Sequence, residues 1–274
     1  MGKRSSSVYV PVRNFFALTF FLSWLIWIPL ALSHYDLGPF KVSEGLSSLI
    51  RLFGVLMPAV SAVILTAVKG GREGVGELLG RLGIWRVNLS WWLAGIVIYP
   101  VLLLASALIY NWVTGEAVPP AKIGSPAELA INIIFLAVAA IGEEIGWRGA
   151  ALPALQRQFN PLRASLILGI LWAAWHLPFW ILLGNISEFG VGYIGLNFLF
   201  IVPMTFFMTW IFNHSRSSLL LPVAFHLVFN IINVAIIQVT STVGAYAIFI
   251  VLQLLVVIAV SIRIKQPVLF ADKA

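Results

Sequence analysis

The sequence has no cysteine among its 274 residues. This absence excludes disulfides, thiolate nucleophiles, c-type haem, iron-sulfur clusters and cysteine-ligated zinc. Charge is scarce as well, because only 10% of the residues are charged, whereas a soluble domain has about 25%. Hydrophobic residues make up 61% of the chain. These values predict an all-α, polytopic membrane protein.

Apolar runs of about 20 residues, the length that crosses a bilayer, divide the chain into spans. We expect eight spans, at about residues 14–33, 49–68, 91–112, 128–152, 161–183, 191–212, 217–239 and 244–262. The first run exceeds the apolar core of a typical signal peptide, so we keep it as a helix of the mature protein. The sequence shows no internal repeat. We therefore expect a single integral membrane domain, residues 1–274.

The segment between the second and third spans is charged and rich in glycine. Apolar residues recur at helical spacing between arginines at about residues 72–86, namely Val75, Leu78, Leu79 and Leu82. This pattern favours an amphipathic helix on the membrane surface. An irregular loop is the alternative, because five glycines between residues 70 and 80 weaken a helix.

The net charge of +7 is distributed along the chain in a way that predicts topology. Of the 17 basic residues, 14 fall at the N-terminus, in segments 69–90, 148–163 and 213–218, and in the C-terminal tail. The positive-inside rule then places both termini in the cytoplasm, and in a prokaryote the membrane would be the plasma membrane. We interpret the basic residues as setting the orientation of the protein in a lipid bilayer, so no nucleic-acid partner is expected.

Two adjacent carboxylates interrupt the fourth span. Glu143, Glu144 and Arg148 follow an almost wholly apolar stretch, where a charged group costs on the order of 3 kcal/mol. Arg148 lies four residues after Glu144, the spacing of a helical ion pair, and Glu143 is left without a local partner. Gly142 and Gly146 would let another helix approach these carboxylates closely.

Polar groups also occur in the fifth and seventh spans. His176 lies four residues after Trp172, and His226 lies four residues before Asn230, so each pair shares a helical face. At about 1.5 Å per residue, both histidines can lie at a depth similar to that of Glu143. Taken singly, each group could simply bond a neighbouring helix. Together they indicate one buried polar site.

Other polar and aromatic residues carry less weight. His34 and His214 fall in loops, where a solvated side chain without a special role is the default interpretation. The tryptophans near the candidate site are interpreted as packing rather than chemistry; they are Trp147, Trp172 and Trp175.

The motifs resemble those of a known family of membrane proteases. Glu-Glu-x-x-Trp-Arg-Gly at residues 143–149, aromatic-x-x-x-His at 172–176 and His-x-x-x-Asn at 226–230 occur in that order on successive apolar spans. This arrangement is similar to the CAAX protease and bacteriocin-processing family, intramembrane endopeptidases related to the Ras-converting enzyme of eukaryotes. The family more often has phenylalanine where this chain has Trp172, and we discount the difference because an aromatic residue is retained.

The resemblance implies roles for six residues. Glu143 with His176 would activate a water, His226 and Asn230 would donate hydrogen bonds to the oxyanion, and Glu144 and Arg148 would support the site. No cofactor is favoured. Zinc is the alternative, and its ligands would be Glu143, His176 and His226 from three helices.

The expected function is hydrolysis of a peptide bond in a peptide or lipidated protein within the membrane, near the C-terminus of a prenylated (CAAX-type) or other membrane-associated substrate. One alternative is a proton-coupled transporter, since pumps also bury acids and histidines. Another is a non-catalytic membrane chaperone or bacteriocin immunity factor, a role associated with parts of the family. The sequence identifies no physiological substrate.

Overall fold

The computed structural model describes residues 10–38, 41–120 and 124–261. In these residues the chain is helical, and extended backbone pairs only in an isolated bridge between Pro120 and Ile237. The α-helices are α1 (Val12–His34), α2 (Glu44–Gly80), α3 (Leu89–Thr114), α4 (Pro126–Gly146), α5 (Leu152–Gln156), α6 (Pro161–Trp175), α7 (Leu177–Leu182), α8 (Asn185–Phe189), α9 (Gly192–His214), α10 (Leu220–Asn230) and α11 (Val243–Ser261). The all-α prediction is confirmed.

Shorter helical segments connect or extend these helices. They are two π-helices, Trp147–Ala151 and Ile231–Ile236, and two 3-10 turns, Arg81–Gly83 and Val239–Ser241.

The described part of the chain has seven helices that are long and apolar enough to cross a membrane. They make the protein an integral, multi-pass membrane protein. The segment expected as the seventh of eight spans, 217–239, contains a shorter apolar helix, Leu220–Asn233. Its 14 residues reach only about 21 Å.

This shorter segment nevertheless extends from one end of the bundle to the other. Before it, the backbone N–H of Leu219 donates to Arg81, and after it the N–H of Gln238 donates to Pro119. Arg81 precedes α3 in the chain and Pro119 follows it, and the 26 residues of α3 span about 39 Å. A short helix suffices here because α3 and α4 pack against α10, and irregular backbone is tolerated at membrane depth where protein buries it.

The glycine-rich segment after the second span is helical rather than an irregular loop. Helix α2 changes direction at Gly71, whose φ of 57° and ψ of −152° suit glycine, and then continues to Gly80. Leu78 of this second part is buried. The position of the segment on a membrane surface stays a prediction.

Helix α4 carries the two carboxylates and packs closely on α2. Its start is fixed by a capping box, in which Ser125 and Glu128 each bond the other's backbone N–H. Towards its other end, a Cβ added at Gly146 would lie within 2.6 to 2.8 Å of the backbone of Pro58 in α2. The close approach predicted from Gly142 and Gly146 is therefore present.

Some of the predictions concern residues outside the described ranges. These are the basic residues at positions 3, 4, 122, 263, 265 and 273 that enter the topology argument, and the last residue of the predicted eighth span, position 262.

Candidate active site

Glu143 lies in the last turn of α4 and is 5% exposed. Its Oε2 accepts a hydrogen bond from the indole N–H of Trp172 at 2.7 Å and a longer one from that of Trp147 at 3.4 Å. The expectation that Glu143 lacks a local partner is wrong, because Trp147 lies one helical turn further along. No other donor among the described residues bonds the carboxylate, so Oε1 is free to accept a proton.

Glu144 connects two of the other polar residues. It is fully buried, and its Oε1 accepts hydrogen bonds from Nη1 of Arg148 at 3.1 Å and from Nδ1 of His226 at 2.9 Å. The ion pair with Arg148 has the predicted i, i+4 spacing. The bond to His226 was not predicted. Removal of Glu144 would leave the buried guanidinium of Arg148 without its counter-ion and His226 without its acceptor, so the three side chains behave as one unit.

His176 lies at the junction of α6 and α7. Its Nδ1 lies 2.9 Å from the carbonyl oxygen of Trp172. A carbonyl only accepts, so Nδ1 must carry the hydrogen, and in the neutral ring Nε2 holds the lone pair. The imidazole also stacks on Trp180, with ring centroids 5.6 Å apart. These two contacts fix both the tautomer and the plane of the ring.

Asn230 is the last residue of α10 and lines the same cavity as Glu143, and no hydrogen bond joins its carboxamide to another described residue. The π-helix Ile231–Ile236 begins directly after it, just as the π-helix Trp147–Ala151 follows Glu143 and Glu144. Such π-segments are frequent at functional sites. The sequence gives no signal for them.

The structure brings four predicted site residues to one cavity. Glu143, His176, His226 and Asn230 all line a space of about 360 Å³. The rest of its wall is largely apolar and comes from α2, α4, α7, α9 and α10 and their neighbours: Val55, Leu136, Ala139, Trp172, Phe179, Trp180, Leu183, Asn185, Asn197, Phe200, Ile201, Met204 and Phe229. Glu144 and Arg148 are not among the residues that line it. His34 and His214 do not line it.

The alternative zinc site would take Glu143, His176 and His226 as its ligands. In the part of the chain that the structure describes, no group of three His, Cys, Asp or Glu side chains is arranged to hold a metal ion. Glu143, His176 and His226 thus share a cavity without forming a ligand set.

Two tryptophans contact the polar site residues directly, which the sequence did not indicate. Trp147 and Trp172 were interpreted as packing, but both donate to Glu143, and the guanidinium of Arg148 lies 4.3 Å from the centre of the Trp172 ring. The spacing from Glu143 to Trp147 could have revealed the first contact. The second joins residues 29 apart and needs the tertiary structure.

Comparisons with known proteins agree with this site. A family model described as Type II CAAX prenyl endopeptidase Rce1-like matches residues 125–232, which include all six residues singled out in the sequence. The chain is also 28% identical over 237 residues to CAAX prenyl protease 2 of Methanococcus maripaludis, and the alignment covers 83% of this chain and 85% of that protein. Together with the motifs on three buried helices, these matches indicate an intramembrane protease that is similar to the Rce1-like CAAX prenyl endopeptidases.

Proposed function

We propose that this protease hydrolyses a peptide bond near the C-terminus of a prenylated CAAX-type protein, or of another membrane-associated protein, with Glu143 as the general base. The observation that carries the proposal is the cavity in which Glu143, His176, His226 and Asn230 meet. The names of the matching family and of the archaeal relative support the CAAX-type substrate.

The first chemical step is attack of water on the scissile carbonyl carbon. The free Oε1 of Glu143 takes one proton from the water. The lone pair on Nε2 of His176 accepts a hydrogen bond from the other O–H, which stays intact, and so orients the oxygen. The water oxygen forms a bond to the carbonyl carbon while the C=O electron pair moves onto the carbonyl oxygen. Glu143 becomes a neutral acid.

The second step is collapse of the tetrahedral intermediate. Nδ2 of Asn230 and Nε2 of His226 donate hydrogen bonds to the oxyanion, which forms only in the transition state and intermediate. Because Nδ1 of His226 already donates to Glu144, this role requires His226 as the imidazolium, with a hydrogen on both nitrogens. Asn230 has no other partner among the described residues, and Glu144 holds His226 by its opposite nitrogen. Glu143 returns its proton to the leaving nitrogen, the C–N bond breaks, and a carboxyl group and an amine are released.

The remaining wall of the cavity favours an apolar substrate segment. Beyond the four polar groups it consists mostly of aliphatic and aromatic side chains, with Asn185 and Asn197 as further polar members. Such a surface stabilises a lipidated or apolar peptide and keeps bulk water, other than the attacking molecule, away from the reacting bond. In the proposed orientation both termini are cytoplasmic and, in a prokaryote, the protein lies in the plasma membrane.

The experiment is cleavage of a quenched, farnesylated CAAX peptide by purified protein in liposomes. Wild type is compared with Glu143→Ala and with Glu116→Gln, a control that removes an exposed carboxylate outside the cavity; each is assayed with and without a zinc chelator. We expect wild type and Glu116→Gln to cleave in both conditions and Glu143→Ala to be inactive.

Other outcomes would overturn parts of the proposal. Activity in Glu143→Ala would remove the general base from the mechanism. Loss of wild-type cleavage on chelation, restored by zinc, would replace the metal-free mechanism. Absence of cleavage by wild type would reject this peptide class, and a comparison of membrane-protein termini in cells with and without the gene would then identify the substrate.

A further inference from the structure

Trp172 contacts three of the polar residues of the site by three different parts of its structure. Its indole N–H donates to Oε2 of Glu143 at 2.7 Å. Its carbonyl oxygen accepts from Nδ1 of His176 at 2.9 Å. Its ring face lies against the guanidinium of Arg148, 4.3 Å from the ring centre.

The indole N–H is the only one of these contacts that depends on tryptophan. Any residue supplies the carbonyl, and any aromatic ring offers a face to Arg148. A phenylalanine here would keep both contacts and lose the bond to Glu143. The difference from the family pattern, which was discounted on the sequence because an aromatic residue is retained, therefore adds one hydrogen-bond donor to Glu143.

The two indole donors to Glu143 are unequal. Both bond Oε2, but the contact from Trp172 at 2.7 Å is within the range of a strong charge-assisted bond, whereas that from Trp147 at 3.4 Å is long. A carboxylate with one oxygen fixed by a buried donor cannot rotate freely. Its other oxygen, Oε1, then keeps one position relative to the substrate water.

We infer that Trp172 is a positioning residue of this protease: its indole N–H anchors Oε2 of Glu143 so that Oε1 is held for proton transfer. The inference rests on the proposed role of Glu143 as general base. Trp172 itself transfers no proton and is not assigned a contact with the reacting atoms.

The chain offers a matched control on the same helix. Trp175 is also fully buried, but its indole N–H donates to Oγ of Ser23 at 2.8 Å, away from Glu143. Trp172→Phe and Trp175→Phe each remove one indole N–H and a similar volume from α6. Only the first removes a donor to Glu143.

The experiment measures kcat and KM of the farnesylated peptide for wild type and both variants in liposomes. We expect Trp172→Phe to lower kcat at least about tenfold, the effect of losing one hydrogen bond to a charged group, with KM within about twofold. Trp175→Phe should keep kcat. Equal kcat values in the two variants would overturn the inference.

A second substitution covers the case in which Trp172→Phe misfolds. Benzothienylalanine, incorporated at position 172, keeps the bicyclic shape and replaces the N–H with sulfur, so it isolates the donor. We expect the same fall in kcat, whereas wild-type kcat with this residue would overturn the inference.

Failure of the proposed mechanism can be told apart from failure of this inference. If Glu143→Gln retains turnover, the general base is wrong, and the role of Trp172 falls with it. If Glu143→Gln is inactive while Trp172→Phe retains kcat, only the inference fails.

A thermal double-mutant cycle gives an answer even if wild type does not cleave the peptide. The unfolding midpoints of Trp172→Phe and Glu143→Ala should be non-additive, because each removes the same bond. Those of Trp175→Phe and Glu143→Ala should deviate less from additivity, because no hydrogen bond joins these two side chains. Additivity in the first cycle would overturn the inference.

Discussion

His226 donates a hydrogen bond from Nδ1 to Oε1 of Glu144 at 2.9 Å, although 82 positions separate the two residues in the chain. The same oxygen accepts from Arg148. Glu144 therefore joins the end of α4 to α10 and determines which nitrogen of His226 is left for the cavity. Its fully buried charge is therefore explained by two contacts, of which the sequence predicted only the one with Arg148.

Loss of the Glu144 carboxylate should destabilise the protein strongly. Glu144→Ala leaves the buried guanidinium of Arg148 without its counter-ion, and we expect a loss of about 3–5 kcal/mol in unfolding free energy. The measurement is reversible unfolding in detergent, followed by circular dichroism. Activity should fall as well, because His226 loses its acceptor.

A double variant separates charge from shape at this position. Glu144→Leu combined with Arg148→Met replaces both buried charges with apolar groups of similar size and should recover most of the lost stability. It should not recover peptide cleavage. If Glu144→Ala were as stable as wild type, the role of Glu144 as the buried counter-ion of Arg148 would be contradicted.

Truncation of Asn230 should affect turnover and leave stability nearly unchanged. Asn230→Ala removes one proposed oxyanion donor, and we expect kcat to fall about 10²- to 10³-fold. Because its carboxamide bonds no described residue, the thermal midpoint should stay close to that of wild type. Both quantities are measured on the same liposome preparation.

Asn233 is the control for this prediction. Its Nδ2 donates to Oγ1 of Thr240 at 2.7 Å, and its Oδ1 accepts from the backbone N–H of Thr240 at 3.1 Å. Asn233→Ala should thus lower stability by about 1–3 kcal/mol and keep kcat. The reverse pattern in the two variants would rule out Asn230 as an oxyanion donor.

The contact of α4 with α2 should tolerate no side chain at Gly146. A Cβ there meets the backbone of Pro58, which cannot rotate away, so Gly146→Ala should cost about 1–3 kcal/mol. Gly76→Ala is the control, since a Cβ at Gly76 has nothing within 4 Å; it should be neutral or stabilising by up to about 1 kcal/mol. The measurement is the thermal midpoint of each variant in the same detergent. Equal midpoints would refute the prediction.

The orientation can be tested by thiol labelling, because the chain has no cysteine of its own. Glu73→Cys and Glu116→Cys place single thiols at exposed positions before and after α3. If the N-terminal side is cytoplasmic, a membrane-impermeant maleimide added to intact cells should label the second thiol and not the first. Labelling of only the first would reverse the proposed topology.

Much of the fold follows from local sequence properties. Scarcity of charge and the length of the apolar runs identify a helical membrane protein, because a spanning segment must satisfy its own backbone hydrogen bonds. The glycines at 142 and 146 predict a close helix contact, since they leave the backbone uncovered on one face. The charges of Glu144 and Arg148 predict their ion pair, because both residues belong to one helical turn.

Other features depend on which helices become neighbours. The short α10 replaces a full span because protein rather than lipid surrounds it, and no apolar pattern encodes that difference. The two π-helices depend on packing around the site.

The sequence by itself determined the class of protein, the identity of the polar residues and the interactions between residues one helical turn apart, because these depend on composition and helical periodicity. Only the tertiary structure decided that Trp172 donates to Glu143, that His226 bonds Glu144, and that four polar groups share one cavity. These contacts join residues on α4, α6 and α10, and the positions of those helices relative to one another depend on packing across the whole bundle.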